Sequence, residues 1–210
     1  MPRPARYTDD DVLDAALTCV ANLGPRVSIA EIADELSGPV GSIYHRFASR
    51  EVLMVRLWLR SVQRFQAGLF ELAKDPDPHE AIVAMALHIP RYCRAHPHEA
   101  ISLTLYRQER LLIECPAEVR GAVSTLNDAL VRLAGELTTS RYGRLDEDNR
   151  HWVLKATRVA PYGLSRPYLG GPIPSQVDEA TAAVADAILR LGDPPPQRAA
   201  PNLSPPDSGA

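Results

Sequence analysis

The sequence predicts an all-α chain, and three observations carry that expectation. Apolar residues recur at helical spacing along most of its length, and no alternating strand pattern persists. Helix start and stop signals stand at the ends of these runs, with Thr8, Ser28 and Ser49 as caps and Gly24-Pro25 and Asp75-Pro76-Asp77-Pro78 as breaks. The hydrophobic share is 45% of 210 residues, enough to bury a core.

Thr8 caps a first helix, and acids at 9 to 11 suit its positive end. Val12, Ala16, Cys19, Val20 and Leu23 share one face of it. Gly24-Pro25 stops it. Ser28 and Glu31 form a capping box for a second helix at about 29 to 36. Its inner face is Ile29, Ile32, Ala33 and Leu36. Ser37-Gly38-Pro39 makes a turn, with Gly38 expected to supply a positive φ. Pro39 starts a short third helix to about 46, with Ile43 and Phe47 pointing inward. Ser49 caps a long fourth helix from Arg50 to about Lys74. Further helices are expected at about 78–95, 98–110, 116–140, 146–165 and 174–191, with kinks at Pro90 and Pro161. The last 18 residues, DPPPQRAAPNLSPPDSGA, are rich in proline and poor in large apolar groups, the composition of a disordered tail. The organisation expected is a small domain over 1–48, a helical domain over 49–192 and a tail over 193–210.

Composition excludes several classes. No run of about 18 apolar residues is present to span a membrane, and MPRPARYTDDD lacks the apolar stretch of a secretory signal. Cys19, Cys93 and Cys115 are scattered and odd in number, which fits a reducing cytoplasm better than a disulfide framework. No nucleophile elbow, phosphate-cradling glycine loop or HExxH is found, so neither an enzyme nor a bound cofactor is expected. Cys93, His96 and His98 have donors suited to a soft metal, but they straddle Pro97 at no standard spacing. A metal-responsive sensor is therefore kept only as an alternative. The net charge of −3 gives no global basic field, yet Arg46, Arg50, Arg56, Arg60 and Arg64 face a single acid, Glu51, between Ser37 and Arg64. Arg56, Arg60 and Arg64 form a stripe at i, i+4, expected to be solvated or to bridge domains. Arg3 and Arg6 add a short basic arm that could reach a minor groove.

Residues 28–54, SIAEIADELSGPVGSIYHRFASREVLM, combine two short helices, a tight turn and the start of a third, with hydroxyls, an aromatic, a histidine and arginines facing outward. That is the layout of a DNA-docking helix-turn-helix. Together with the first helix, G-S-I-Y-H-R-F and S-R-E-V-L, the segment from about residue 8 to 58 resembles the TetR family of bacterial repressors. The resemblance implies that Val40, Gly41 and Ser42, at the start of the recognition helix, meet base edges. It gives the Tyr44 hydroxyl to a phosphate, points His45 to the groove or its wall, and has Ser28 and Arg50 clamp phosphates.

In that family the C-terminal domain dimerises through its last two helices and encloses an effector. Val177, Ala180, Thr181, Val184, Ile188 and Leu191 lie together on the last helix and are expected to form the dimer interface. Met85, His88, Ile89, Tyr92, Tyr106, Leu126, Leu130, Trp152 and Tyr162 are candidate pocket liners, apolar bulk with a few polar tips. The partners expected are a double-stranded DNA operator, a small-molecule effector and a second copy of the chain, with no membrane. A relative of the family that has lost DNA binding and serves as an interaction module is the remaining alternative.

Overall fold

The computed structural model describes residues 7–194, and every regular element among them is helical. The basic arm at Arg3 and Arg6 lies outside the described residues, as does the tail from residue 195.

Thr8 opens α1 (Asp9–Leu23) through a capping box with Asp11, and Ser28 opens α2 (Ile29–Glu35) through one with Glu31. In each box the carboxylate takes the cap's backbone N–H and hydroxyl, which holds Asp11 and Glu31 below the usual carboxylate range. The turn into α3 (Val40–Tyr44) differs from the expectation. Its positive φ, 53°, belongs to Ser37, not Gly38. Ser37 N–H bonds Asp34 O at 3.0 Å and Gly38 N–H bonds Ala33 O at 2.9 Å, the pairing that closes a helix end on a left-handed residue. Gly38 is needed for another reason: a Cβ there would lie 2.8 Å from the Tyr7 ring, whose hydroxyl donates to Ser37 O at 2.7 Å.

Ser49 caps α4 (Arg50–Leu72), and Asp77 caps α5 (Pro78–Ala95). The single helices expected at 98–110 and 116–140 are each two: α6 (Pro97–Ser102) with α7 (Gln108–Glu114), and α8 (Ala117–Thr125) with α9 (Asp128–Tyr142). At the second break, side-chain amides take over helix-end duties. Gln66 Nε2 donates to Asn127 Oδ1 at 2.9 Å, Asn127 Nδ2 to Gln108 Oε1 at 2.7 Å, and Gln108 Nε2 to Val123 O at 2.6 Å. Pro161 cannot donate to the carbonyl four residues back, and the helix accommodates it with a π-turn at Lys155–Val159 between α10 (Glu147–Leu154) and α11 (Ala160–Ser165). A 3₁₀ turn at Arg166–Tyr168 leads towards α12 (Gln176–Arg190).

Three cores result. The first joins α1–α3 and the N-terminal half of α4 to Leu111, Cys115, Val119, Val123 and Leu126 of α7, α8 and the residues next to them. It crosses the boundary expected at residue 49, because α4 contributes Val52, Leu53, Leu57 and Trp58 to it. The second sits among Leu69, Ile82, Met85, Leu137, Val153 and Leu189. The third gathers Ile89, Cys93, Ala100, Ile173 and Val177. Val177, Thr181, Ala185 and Leu189, four residues apart, form the buried stripe of α12, which packs on α5. Asp193, expected in the tail, pairs with Arg141 at 2.7 Å and belongs to the folded body.

Replacing Ser37 with glycine relieves the left-handed conformation and is expected to stabilise the fold by about 1 kcal/mol, read as a higher urea midpoint at unchanged slope. Asp178 is held below the usual aspartate range by hydrogen bonds from Arg94, at 2.6 Å, and Arg91. A lowered folded value means that this contribution is present above the ordinary aspartate value of about 3.9 and is lost as pH falls through the lower folded one. Asp178→Asn is therefore expected to show a smaller loss of urea stability below about pH 4 than the parent.

Candidate nucleic-acid interface

The geometry of α3 follows from two anchors. Ile43 is fully buried and Phe47 is 1% exposed, and both sit in the first core. On the other side Val40 is 39% and Tyr44 52% exposed, with Gly41 and His45 exposed and Ser42 half-buried beside them. A Cβ on Gly41 would meet nothing within 4 Å, so no packing inside the protein requires glycine there. The structure thus gathers Val40, Gly41, Ser42, Tyr44 and His45 on one short outward face.

Ser28 and Arg50 are engaged elsewhere. The Ser28 hydroxyl donates to Glu31 Oε2 at 2.8 Å, and the Glu31 carboxylate stands over the start of α2. Arg50 Nε donates to Val27 O at 2.6 Å and its Nη2 to Pro25 O at 2.6 Å. Arg50 therefore staples the α1–α2 loop to the start of α4 instead of standing free as a phosphate clamp. Backbone carbonyls leave no trace in a residue pattern, so the sequence held no sign of this.

The arginine run is neutralised by acids from other elements. Arg46 pairs with Asp9 at 2.6 Å and also donates to Tyr7 O. Arg56 pairs with Glu118 at 2.5 Å and approaches Asp9 at 3.9 Å. Arg60 takes Asp10 at 3.0 Å and Asp14 at 2.7 Å, and Arg64 takes Glu99 at 2.8 Å. The i, i+4 stripe is a bridge from α4 to α1, α6 and α8.

The nine candidate pocket residues do not assemble. Tyr106 and Leu126 belong to the first core, Met85 and Leu130 to the second, and Ile89 to the third. His88 lies against Gly68 and bonds Phe65 O at 2.9 Å, and burial lowers its pKa. Tyr92 stacks between His88 and His96, and burial pushes its hydroxyl up to about 12. Trp152 carries Lys155 over its ring at 5.1 Å, while Tyr162 is 44% exposed. Helical spacing put these residues on one face of their own helices, but the faces meet different neighbours. None of them lines the open cleft of about 590 Å³ between α9 and α10, where Val131, Gly135, Leu145 and Arg150 lie.

The dimer list divides as well. Val177 and Thr181 face inward, at 7% and 1% exposure, and are corrected to core positions. Ala180, Val184 and Ile188 are half-buried, and Leu191 is exposed. The outward strip of α12 is Ala180, Ala183, Val184, Ala187 and Leu191, and α11 and the π-turn beside it expose Tyr162 and Val159. Cys93, His96 and His98 do not converge: Cys93 is buried in the third core, His96 stacks on Tyr92, and no group of three metal-ligating side chains is found among the described residues. The same residues contain no helix long and apolar enough to cross a membrane.

The order of these helices is shared with solved structures. A TetR-like transcriptional regulator from Rhodococcus sp. RHA1 superposes with a TM-score of 0.65 at 22% identity, over 91% of this chain and 97% of its own. Another transcriptional regulator from the same organism gives 0.68 at 15% identity, over 89% and 97%. The chain has the TetR-like regulator fold. FadR of Bacillus subtilis, solved in complex with stearoyl-CoA, shares this fold with a TM-score of 0.58 at 16% identity, over 88% and 97%. No family model and no curated protein matches the sequence.

The TetR-like framework separates α3's free face from the groups that hold it. Arg50→Ala leaves two loop carbonyls without donors and is expected to cost about 2 kcal/mol of unfolding free energy. Tyr44→Ala, on the free face, is expected to stay within about 0.5 kcal/mol of the parent in the same urea titration.

Proposed function

We propose that the chain is a TetR-family transcriptional regulator, a repressor that works in the cytoplasm and binds a palindromic operator as a homodimer. The observation that carries this reading is the outward face of α3, with Val40, Gly41, Tyr44 and His45 exposed over the buried Ile43 and Phe47. Side chains at the start of such a helix reach base edges in the major groove, where Val40 suits a thymine methyl and Ser42 either base type. Gly41 lets the backbone come close, and the Tyr44 hydroxyl suits a phosphate.

A single five-residue helix reads few bases, so the reading needs two copies. The small-residue strip of α12, with Ala180, Ala183 and Ala187, lets a partner helix approach closely, and α11 completes half of a four-helix bundle. The two recognition helices then meet successive major grooves about 34 to 36 Å apart. An effector in the C-terminal helices would act by favouring one separation of the recognition helices over another, a coupling of typically about 1 to 3 kcal/mol. That a protein of this fold holds stearoyl-CoA supports an effector site without naming the ligand.

Selection from random duplexes with the full-length protein tests the reading. A palindrome with half-sites about one helical turn apart is the expected product. Failure of a folded protein to enrich any motif at low salt would defeat it. Ala183→Arg is expected to convert the dimer to monomer in sedimentation and to lower affinity for the selected palindrome at least tenfold, a loss of about 1.4 kcal/mol or more.

A further inference from the structure

We infer that Arg26 is, among the described residues, the cation through which the N-terminal helices hold the DNA backbone, and that Arg50 positions it. The inference rests on the DNA-binding reading above.

Between residues 7 and 49 the chain carries Asp9, Asp10, Asp11, Asp14, Glu31, Asp34 and Glu35 but only two arginines, Arg26 and Arg46. A surface so acidic repels a phosphate backbone unless a local cation meets it. The outward positions of α2 offer none, since Glu31, Asp34 and Glu35 are exposed there. Arg46 is held by Asp9 and the Tyr7 carbonyl. Arg56 and Arg60 are spent on Asp10, Asp14 and Glu118, and Arg64 on Glu99. Arg50 holds the carbonyls of Pro25 and Val27. Arg26 is exposed, and it makes no ion pair or side-chain hydrogen bond with any other described residue.

Its setting is built. Arg26 stands between the two residues whose carbonyls Arg50 grips, each at 2.6 Å. Val27, next in the chain, is buried in the first core, and Ser28 after it caps α2. The loop backbone is thus fixed on both sides of Arg26 while its side chain stays free, at the junction of the α2 and α4 starts. A guanidinium there can give two parallel hydrogen bonds to a phosphate, with little backbone entropy left to lose. The phosphate contact expected of Arg50 passes to Arg26, because Arg50 is held as the staple.

The test measures how binding falls with salt, using the full-length protein on a random-sequence 30-base-pair duplex and on the selected palindrome. Each phosphate contact adds about 0.9 to the slope of log K against log salt. Arg26→Ala is expected to lower the slope by about 2 per dimer and to weaken both duplexes by the same factor, with an unchanged urea midpoint. Arg26→Lys, which keeps the charge, is expected to retain the slope. An unchanged slope in Arg26→Ala overturns the inference and leaves the DNA reading standing. A parent protein that binds neither duplex at low salt overturns the reading itself.

Discussion

The displayed face of α3 depends on the burial of Ile43 and Phe47. A helix of five residues has no stability of its own in water, because nucleation costs more than so few hydrogen bonds return. Its place is set by the core beneath it. Phe47 and Ile43 enter a cluster that also holds Val12 and Val20 of α1, Ile32 of α2 and Leu53 and Leu57 of α4. Burying each such side chain contributes roughly 1.5 to 3 kcal/mol, which outweighs the intrinsic cost of the short helix. Because α7 and α8 send Leu111, Val119 and Val123 into the same cluster, the aim of α3 is tied to the C-terminal helices. A shift of α7 or α8 therefore reaches α3 through packed side chains.

Electrostatics sharpen the division of labour. The arginines of α4 lie close together in sequence, but in the fold they face the acids of α1, α6 and α8. These pairs are partly exposed, and each contributes at most about 1 kcal/mol, so their main effect is to orient α1 on α4. They also remove the positive patch that the residue count implied. What remains exposed on α3 is a small outward surface of mixed chemistry, with Val40, Gly41, Tyr44 and His45. On the proposed reading, such a surface gives modest non-specific affinity and a low salt slope.

The parts of this fold that were legible in the sequence are those governed by neighbours in the chain. The Ser28–Glu31 box, the Gly24 stop, the Ser49 cap and the inward Ile43 and Phe47 all follow from local spacing. The illegible parts depend on distant partners. Ser37 takes a positive φ that its residue type disfavours, at the left-handed position that closes α2, while the neighbouring Gly38 sits under the Tyr7 ring. The break between α8 and α9 rests on amides from Gln66 and Gln108, about 60 and 19 residues from Asn127. The candidate pocket residues fall in different cores because each helix face has several possible neighbours and the sequence does not choose among them. The same holds for Val177 and Thr181: a stripe on α12 is visible in the sequence, but whether it meets α5 or a partner is not.

The measurement that tests the central claim most directly is hydrogen exchange along the full chain, with and without a duplex carrying the selected palindrome. The account predicts slowed exchange at residues 40–46 and at the loop around residue 26, with the amides near residues 131–150 unchanged by DNA contact. Bound DNA that leaves 40–46 unprotected, or that protects only the C-terminal helices, would contradict the account of α3 as the reading surface.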